Sequence, residues 1–188
     1  EGQQLKSAET ILAFRTTENT QISNISDTHL DIITYSDTYS IIDYTYDIFK
    51  LNGEEIRKDF SVLTANRKSA PLSSSNTLIG GEIFVEDGVE VEASVLNSKN
   101  GPIYIGKEST IMEGALIKGP FAICLNATVK MGAKIYGDTT IGPHCKVGGE
   151  VSNSVFYARS NKGHDGFLGN SVIGEWCNLG ADTNSSNL

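Results

Sequence analysis

Cysteine is scarce in this chain and badly placed for cross-linking. The three present, Cys124, Cys145 and Cys177, are odd in number, widely spaced and include no CxxC pair. They form neither a disulfide framework nor a zinc-finger signature, and a reducing compartment is the simpler setting. Long hydrophobic runs are missing as well. No stretch could span a bilayer, and no basic-then-apolar leader opens the sequence. A soluble, cytoplasmic protein without a membrane partner is the reading. Positive charge is the minority sign: 15 Lys and Arg stand against 23 Asp and Glu, a net charge of −8. Such a surface repels a phosphate polymer unless basic residues cluster, and none do, so nucleic acid is not an expected partner.

Glycine, by contrast, is plentiful at 19, and most of it lies beyond residue 79. The same region carries a strict repeat. Ile105, Ile111, Ile117, Ile123, Val129, Ile135, Ile141 and Val147 form a ladder of eight branched aliphatic residues at a period of six. A fixed period of this kind marks a solenoid. Four residues after each rung stand Ser109, Ala115, Phe121, Ala127, Ala133, Thr139 and Cys145, all but one of them small. The pattern has a steric reason. In a flat-sided solenoid every sixth residue points into a narrow interior, where a branched aliphatic fills the space. A small residue four later lets the corner close, and glycine or a short polar residue relieves the backbone there. An α-helix would need apolar residues three and four apart, which is not the pattern here. The predicted fold is therefore mainly β: a left-handed parallel β-helix of hexapeptide repeats, with a small N-terminal α/β segment.

The frame extends in both directions with slips. Upstream, Ile79, Val85 and Val91 keep the period, and residues 97–102 read as a loop carrying a two-residue slip. Downstream, Val155, Phe167, Ile173 and Leu179 resume the period with Asn161 as a failed rung, so residues 152–165 read as a protruding loop. Long loops on a regular scaffold are where sites concentrate. Before the solenoid, residues 11–14 and 30–35 are β-like. Residues 41–64 read as two helical pieces divided by Asn52-Gly53, a turn signal, and residues 65–76 as a linker. The expected division is an N-terminal segment over 1–76 and the β-helix over 77–188. A β-helix exposes unpaired backbone at both ends. The helical stretch is the expected cap at one end, and a further segment or another subunit at the other.

The ladder together with EVSNSVFYARSNKGHDGFLGNSVIGEWCNLGADTNSSNL, from Glu150 to Leu188, resembles the acetyltransferase domain of the GlmU-like family. These are bifunctional sugar-1-phosphate nucleotidyltransferases/acetyltransferases, and the wording is most similar to a group of bacterial GlmU-like sugar nucleotidyltransferases. Asn161-Lys162-Gly163-His164 falls on the family's histidine motif, Phe167-Leu168-Gly169-Asn170 on Y-[LI]-G-D, and Asn178-Leu179-Gly180-Ala181-Asp182-Thr183 on N-[IV]-G-A-G-T. The likeness covers residues 79–188 well and the helical segment 47–59 less specifically.

The resemblance implies acetyl transfer from acetyl-CoA, as co-substrate, to an amino-sugar phosphate or a related sugar nucleotide. His164 would be the general base, Asn178 and Asn187 would contact the sugar, and Ala181 and Thr183 would lie at the coenzyme A site. It implies a homotrimer, and Mg²⁺ only for a nucleotidyltransferase half. No nucleotidyltransferase-type glycine-rich loop occurs in these 188 residues, and residues 1–40 would be the end of that half. The chain alone is expected to be a poor catalyst. The chemistry stands by itself: an amine attacks a thioester only when unprotonated, and imidazole titrates in the range that suits a base near neutrality. Two departures bear on the substrate. Ser152 replaces a lysine that helps hold the sugar phosphate, and Phe167 replaces a tyrosine. An arginine of an earlier coil has Tyr136 as its nearest counterpart. Lys134, Lys146 and Lys162 are the candidates to compensate.

Two other classes remain in view. One is a non-catalytic trimeric scaffold for a sugar-1-phosphate nucleotidyltransferase, favoured by Ser152 and Phe167. The other is a zinc enzyme of the γ-carbonic-anhydrase type, which needs three converging histidines, two of them close in sequence. His144 and His164 are twenty residues apart and His29 lies far upstream, so no metal site is expected.

Overall fold

The computed structural model describes residues 2–16 and 30–185. The chain divides into two compact units, Glu1–Ile41 and Ile42–Leu188. In the first, β1 (Gln3–Ser7) lies between β2 (Thr10–Arg15), antiparallel to it, and β3 (Asp31–Thr34), parallel to it.

The second unit opens with a helix, α1 (Asp47–Leu63), and continues as fifteen short strands. These are β4 (Thr77–Ile79), β5 (Ile83–Val85), β6 (Glu90–Val91), β7 (Val95–Asn97), β8 (Ile103–Ile105), β9 (Thr110–Ile111), β10 (Leu116–Lys118) and β11 (Phe121–Ile123), then β12 (Thr128–Val129), β13 (Lys134–Tyr136), β14 (Thr139–Ile141), β15 (Lys146–Val147), β16 (Glu150–Phe156), β17 (Asn161–Lys162) and β18 (Phe167–Ile173). Every pairing among them is parallel and joins strands one coil apart. The first face of the prism is β4, β7, β10 and β13, then the opening residues of β16 and β18. The second is β5, β8, β11 and β14, then the closing residues of β16 and β18. The third is β6, β9, β12, β15 and β17, continued by a bridge from Asn161 to Asn178. About five turns separate β4 from β18, the parallel solenoid expected of a left-handed β-helix.

The ladder is the core. All eight rungs from Ile105 to Val147 are buried, as are all seven residues four positions after a rung. Each fully buried aliphatic side chain contributes about 1.5–3 kcal/mol relative to exposure. Each rung stacks on the one eighteen residues away, Ile105 on Ile123 on Ile141 and Ile111 on Val129 on Val147, so three columns meet in one narrow apolar interior. Backbone at the corners adopts left-handed φ even without glycine, as at Glu108, Asn126, His144, Arg159 and Trp176. His144 is thus an exposed turn residue.

Beyond Val147 the structure departs from the constant-period frame. Coils of eighteen residues separate Ile117 from Ile135 and Val129 from Val147. The next coil shortens to sixteen residues from Ile135 to Val151, and to fifteen from Ile141 to Phe156 and from Val147 to Lys162. The rungs are therefore Val151, Phe156, Lys162 and Leu168, followed by Ile173 and Leu179 packed at the margin of the core. Val155 and Phe167 are not rungs, and Asn161 faces outward because Lys162 takes the interior place. Residues 152–165 form no protruding loop. They are a tightened coil in which β16 passes from the first face to the second through Asn153, whose φ is 44°. At the other end, Leu78 rather than Ile79 stands in the column of Leu96 and Ile117.

The helix also differs from expectation. Asn52-Gly53 does not break it; the pair lies inside α1 and docks it on the solenoid. Asn52 Nδ2 donates to the carbonyl of Asp138 at 2.7 Å, and Thr140 Oγ1 donates to Asn52 Oδ1 at 2.8 Å. Gly53 is buried, and a Cβ there would lie 1.8 Å from Asp138 Oδ1 and 3.2 Å from Asp138 Cβ. Glycine is what allows this approach. The helix packs on the strands β11, β14, β16 and β18 along the side of the prism, with Ile56 buried. It does not cap the end. That role falls to the following segment: Ala70 N donates to Val85 O at 2.8 Å, and Ala70 and Leu72 pack on the core. Arg67 fastens the segment through Glu86 at 2.7 Å. The helix thus belongs to the same compact unit as the solenoid, Ile42–Leu188.

Gly53→Ala tests this docking by its sign. In an exposed helix the change stabilises by about 0.8–1 kcal/mol. Here overpacking against Asp138, typically about 1–3 kcal/mol, outweighs that gain. The urea midpoint is expected to fall; a rise would show that the Asp138 carboxylate swings aside at little cost.

Candidate functional site

Some of the residues singled out from sequence lie at or beside the corner between the third and first faces, where β17 leads into β18. His164 occupies that corner and is exposed. Among the described residues its imidazole accepts and donates no hydrogen bond, so Asp165 next to it is not an orienting partner. Three residues on, the chain enters the first face at Phe167. The register places Lys134, Glu150 and Phe167 in one outward column, and Tyr136, Ser152 and Gly169 in the next. Lys134 and Tyr136 are exposed, and Ser152 and Phe167 half-buried. A hollow of about 310 Å³ continues along this face toward the earlier coils, with Leu116, Lys118, Lys134 and Tyr136 among its lining.

The following coil brings Ala181 and Thr183 to the same corner. Asp182 N donates to Asp165 O at 3.1 Å, and Thr183 O lies so close to Gly166 that a Cβ on the glycine would sit 2.4 Å from it. Asn184 Oδ1 accepts from Phe167 N at 2.7 Å, which ties that coil to the edge of the face. The structure therefore joins His164, Ser152, Phe167, Ala181 and Thr183 around one corner and the face beside it. Asn178 stands apart on the third face, beneath Asn161. Asn187 and His29 lie outside the described residues.

The three lysines proposed as compensation separate cleanly. Lys134 shares the outward column of Phe167 and neighbours that of Ser152. Lys146 is on the third face, in register with Asn161. Lys162 is inside the prism, 1% exposed, with its ammonium on the carbonyls of Gly148 at 3.1 Å and His164 at 3.0 Å. Burial holds that ammonium below the usual lysine range, opposed by the nearby charge of Asp165. From sequence Lys162 is a candidate to compensate for Ser152, and only its pairing with Val147 reveals the interior position.

The cysteines carry no nucleophile signal. Burial pushes the Cys145 thiol up, and its Sγ donates to Tyr157 O at 2.8 Å. Burial raises the Cys124 thiol likewise. Among the described residues no three His, Cys, Asp or Glu side chains converge on a metal position, and His144 and His164 stand at different corners. No described helix is long and apolar enough to cross a membrane.

Comparison with known proteins bears on both parts of the chain. Residues 1–68 match a family model described as sugar nucleotidyl transferase, a segment that includes the three-stranded sheet and all of α1. The chain is 27% identical over 167 residues to the bifunctional protein GlmU of Rippkaea orientalis, covering 75% of this chain and 37% of that protein. It is 30% identical over 86 residues to the bifunctional protein GlmU of Trichodesmium erythraeum, 45% of this chain and 18% of that one. With that of Wigglesworthia glossinidia brevipalpis it shares 30% identity over 119 residues, 58% and 26% of the two chains. The sequence thus spans little more than a third of the Rippkaea protein.

Proposed function

We propose that this chain, whose likenesses support a GlmU-like transferase family, supplies the acyl-transfer part of such an enzyme, with His164 as general base. The observation that carries the reading is the placement of His164: an exposed imidazole at a corner that opens directly onto a face bearing Lys134, Tyr136, Ser152 and Phe167. The acceptor is an amino-sugar phosphate. Its amine nitrogen attacks the thioester carbonyl carbon of acetyl-CoA, His164 takes the amine proton as the C–N bond forms, and the C–S bond breaks with that proton passed from the imidazolium to the departing sulfur, so that coenzyme A leaves as the thiol. Lys134 replaces the missing lysine at Ser152 as the cation for the phosphate. Its ammonium stem rises from the neighbouring strand of the same face, one coil earlier. Phe167 offers the sugar an apolar wall. Ala181 and Thr183, one coil on at the same corner, lie on the coenzyme A side. Asn178, across the corner, reaches a sugar held between two subunits of a homotrimer. The half-exposed Leu116, outward on the first face, supports such packing.

The test is a panel of amino-sugar phosphates with acetyl-CoA, run on the complete protein, with coenzyme A binding measured alongside. Acetylated product and bound coenzyme A are expected. Absence of coenzyme A binding would leave the solenoid as a scaffold beside a nucleotidyltransferase.

A further inference from the structure

Lys162 is the one charged side chain among the described interior rungs. The other rungs are apolar, and its own strand partner is Val147. A buried ammonium is costly unless its protons find acceptors, and an aliphatic residue of similar size would serve the column better. No carboxylate pairs with it within ion-pair distance among the described residues. Its hydrogen-bond partners are instead two backbone carbonyls. One belongs to Gly148 on the preceding coil and the other to His164 at the corner, at 3.1 and 3.0 Å. The backbone completes the loop, because Gly148 N donates to Lys162 O at 2.7 Å. Gly149 makes room for it. A Cβ there would lie 2.8 Å from Lys162 Nζ and 2.8 Å from the His164 carbonyl.

We propose that Lys162 is a positioning residue for His164: its ammonium ties the His164 peptide to Gly148 of the preceding coil and so fixes the direction in which the imidazole leaves the corner. The inference rests on the reading of His164 as the base. It has a geometric consequence. The imidazole makes no hydrogen bond of its own, so its orientation is inherited from the peptide that bears it. Releasing the His164 carbonyl lets that peptide turn to water, because the next backbone ties lie beyond it, at the carbonyls of Asp165 and Gly166. A displacement of about 1 Å at a reacting group can cost about 100-fold in rate.

The test is Lys162→Met, which keeps the stem and the interior packing and removes the ammonium. The thermal midpoint is expected to stay within a few degrees of wild type, since a hydrophobic replacement offsets the lost hydrogen bonds. The imidazole NMR resonances of His164 are expected to shift and broaden. In the complete protein kcat is expected to fall about tenfold or more, with KM for the amino sugar unchanged. Unmoved His164 resonances would overturn the proposal whatever the activity, and so would moved resonances with undiminished kcat. Failure of the base reading shows separately, as undiminished transfer by His164→Ala or no transfer by the wild type.

Discussion

His164→Ala is expected to lower kcat for acetyl transfer by about 100- to 10,000-fold while leaving the fold as stable as before. The size follows from the chemistry. An ammonium acceptor has no lone pair, and the neutral amine must lose a proton as it bonds to the thioester carbon, so removing the base leaves only water to take that proton. The selectivity follows from the structure. The His164 side chain is exposed and makes no hydrogen bond among the described residues, and substitutions at such positions change stability by no more than about 0.5 kcal/mol. Coenzyme A affinity is expected to persist, because Ala181 and Thr183 belong to the next coil, which is tied to the corner through the backbone bond from Asp182 N to Asp165 O and not through the imidazole. His164→Asn should match the alanine variant, since an amide accepts a hydrogen bond but not a proton near neutrality. Steady-state rates together with thermal midpoints decide the matter. Transfer within a few-fold of wild type would remove His164 from the mechanism, and a rate loss with a collapsed midpoint would assign the corner a structural role.

The solenoid was legible in the sequence wherever its physics is periodic. From Ile105 to Val147 each coil has the same length, so inward residues recur at six and the column can be read without any fold in hand. Past Val147 the reading failed because it assumed that length to be constant. Three residues drop out between Val147 and Lys162, and the interior place moves from Asn161 to Lys162. Hydrophobicity gave no warning, since a lysine reads as surface although its four-carbon stem fills an interior as a methionine would. Asn52-Gly53 misled for a related reason. The dipeptide is a turn signal when only neighbours in sequence matter, but its partner here is Asp138, eighty-six residues from Asn52. The candidate site could be named from sequence only through its motif resemblance over Glu150–Leu188, because nothing in the six-residue period singles out His164. What could not be read was that Lys134 shares a column with Phe167, with Glu150 between them, since that alignment exists only once the coils stack.

Phe156→Ala is expected to cost about 3–5 kcal/mol, the usual range for truncating a buried phenylalanine. Its ring is 1% exposed and is one of the largest in the apolar column. It sits where the coil has shortened, between Ile141 on one side and Ile173 on the other. The backbone there is fixed by parallel pairing above and below, so it has little freedom to collapse onto the void. For a unit of this size each kcal/mol lowers the midpoint by about 2–4 °C, which predicts a fall of about 6–20 °C. The loss should also be local. Coils of a solenoid contact only their neighbours, so hydrogen-exchange protection is expected to drop across residues 150–173 and to persist from Ile103 to Ile141. Since His164 and Phe167 lie within the loosened segment, acetyl transfer should fall in the same variant, by loss of geometry instead of loss of a proton acceptor. Phe156→Leu, which nearly conserves volume, should cost under about 1.5 kcal/mol and retain transfer. Uniform loss of protection along the whole solenoid would show instead that the unit unfolds as a single cooperative body, and that the corner bearing His164 draws its rigidity from every coil rather than from the two that flank it.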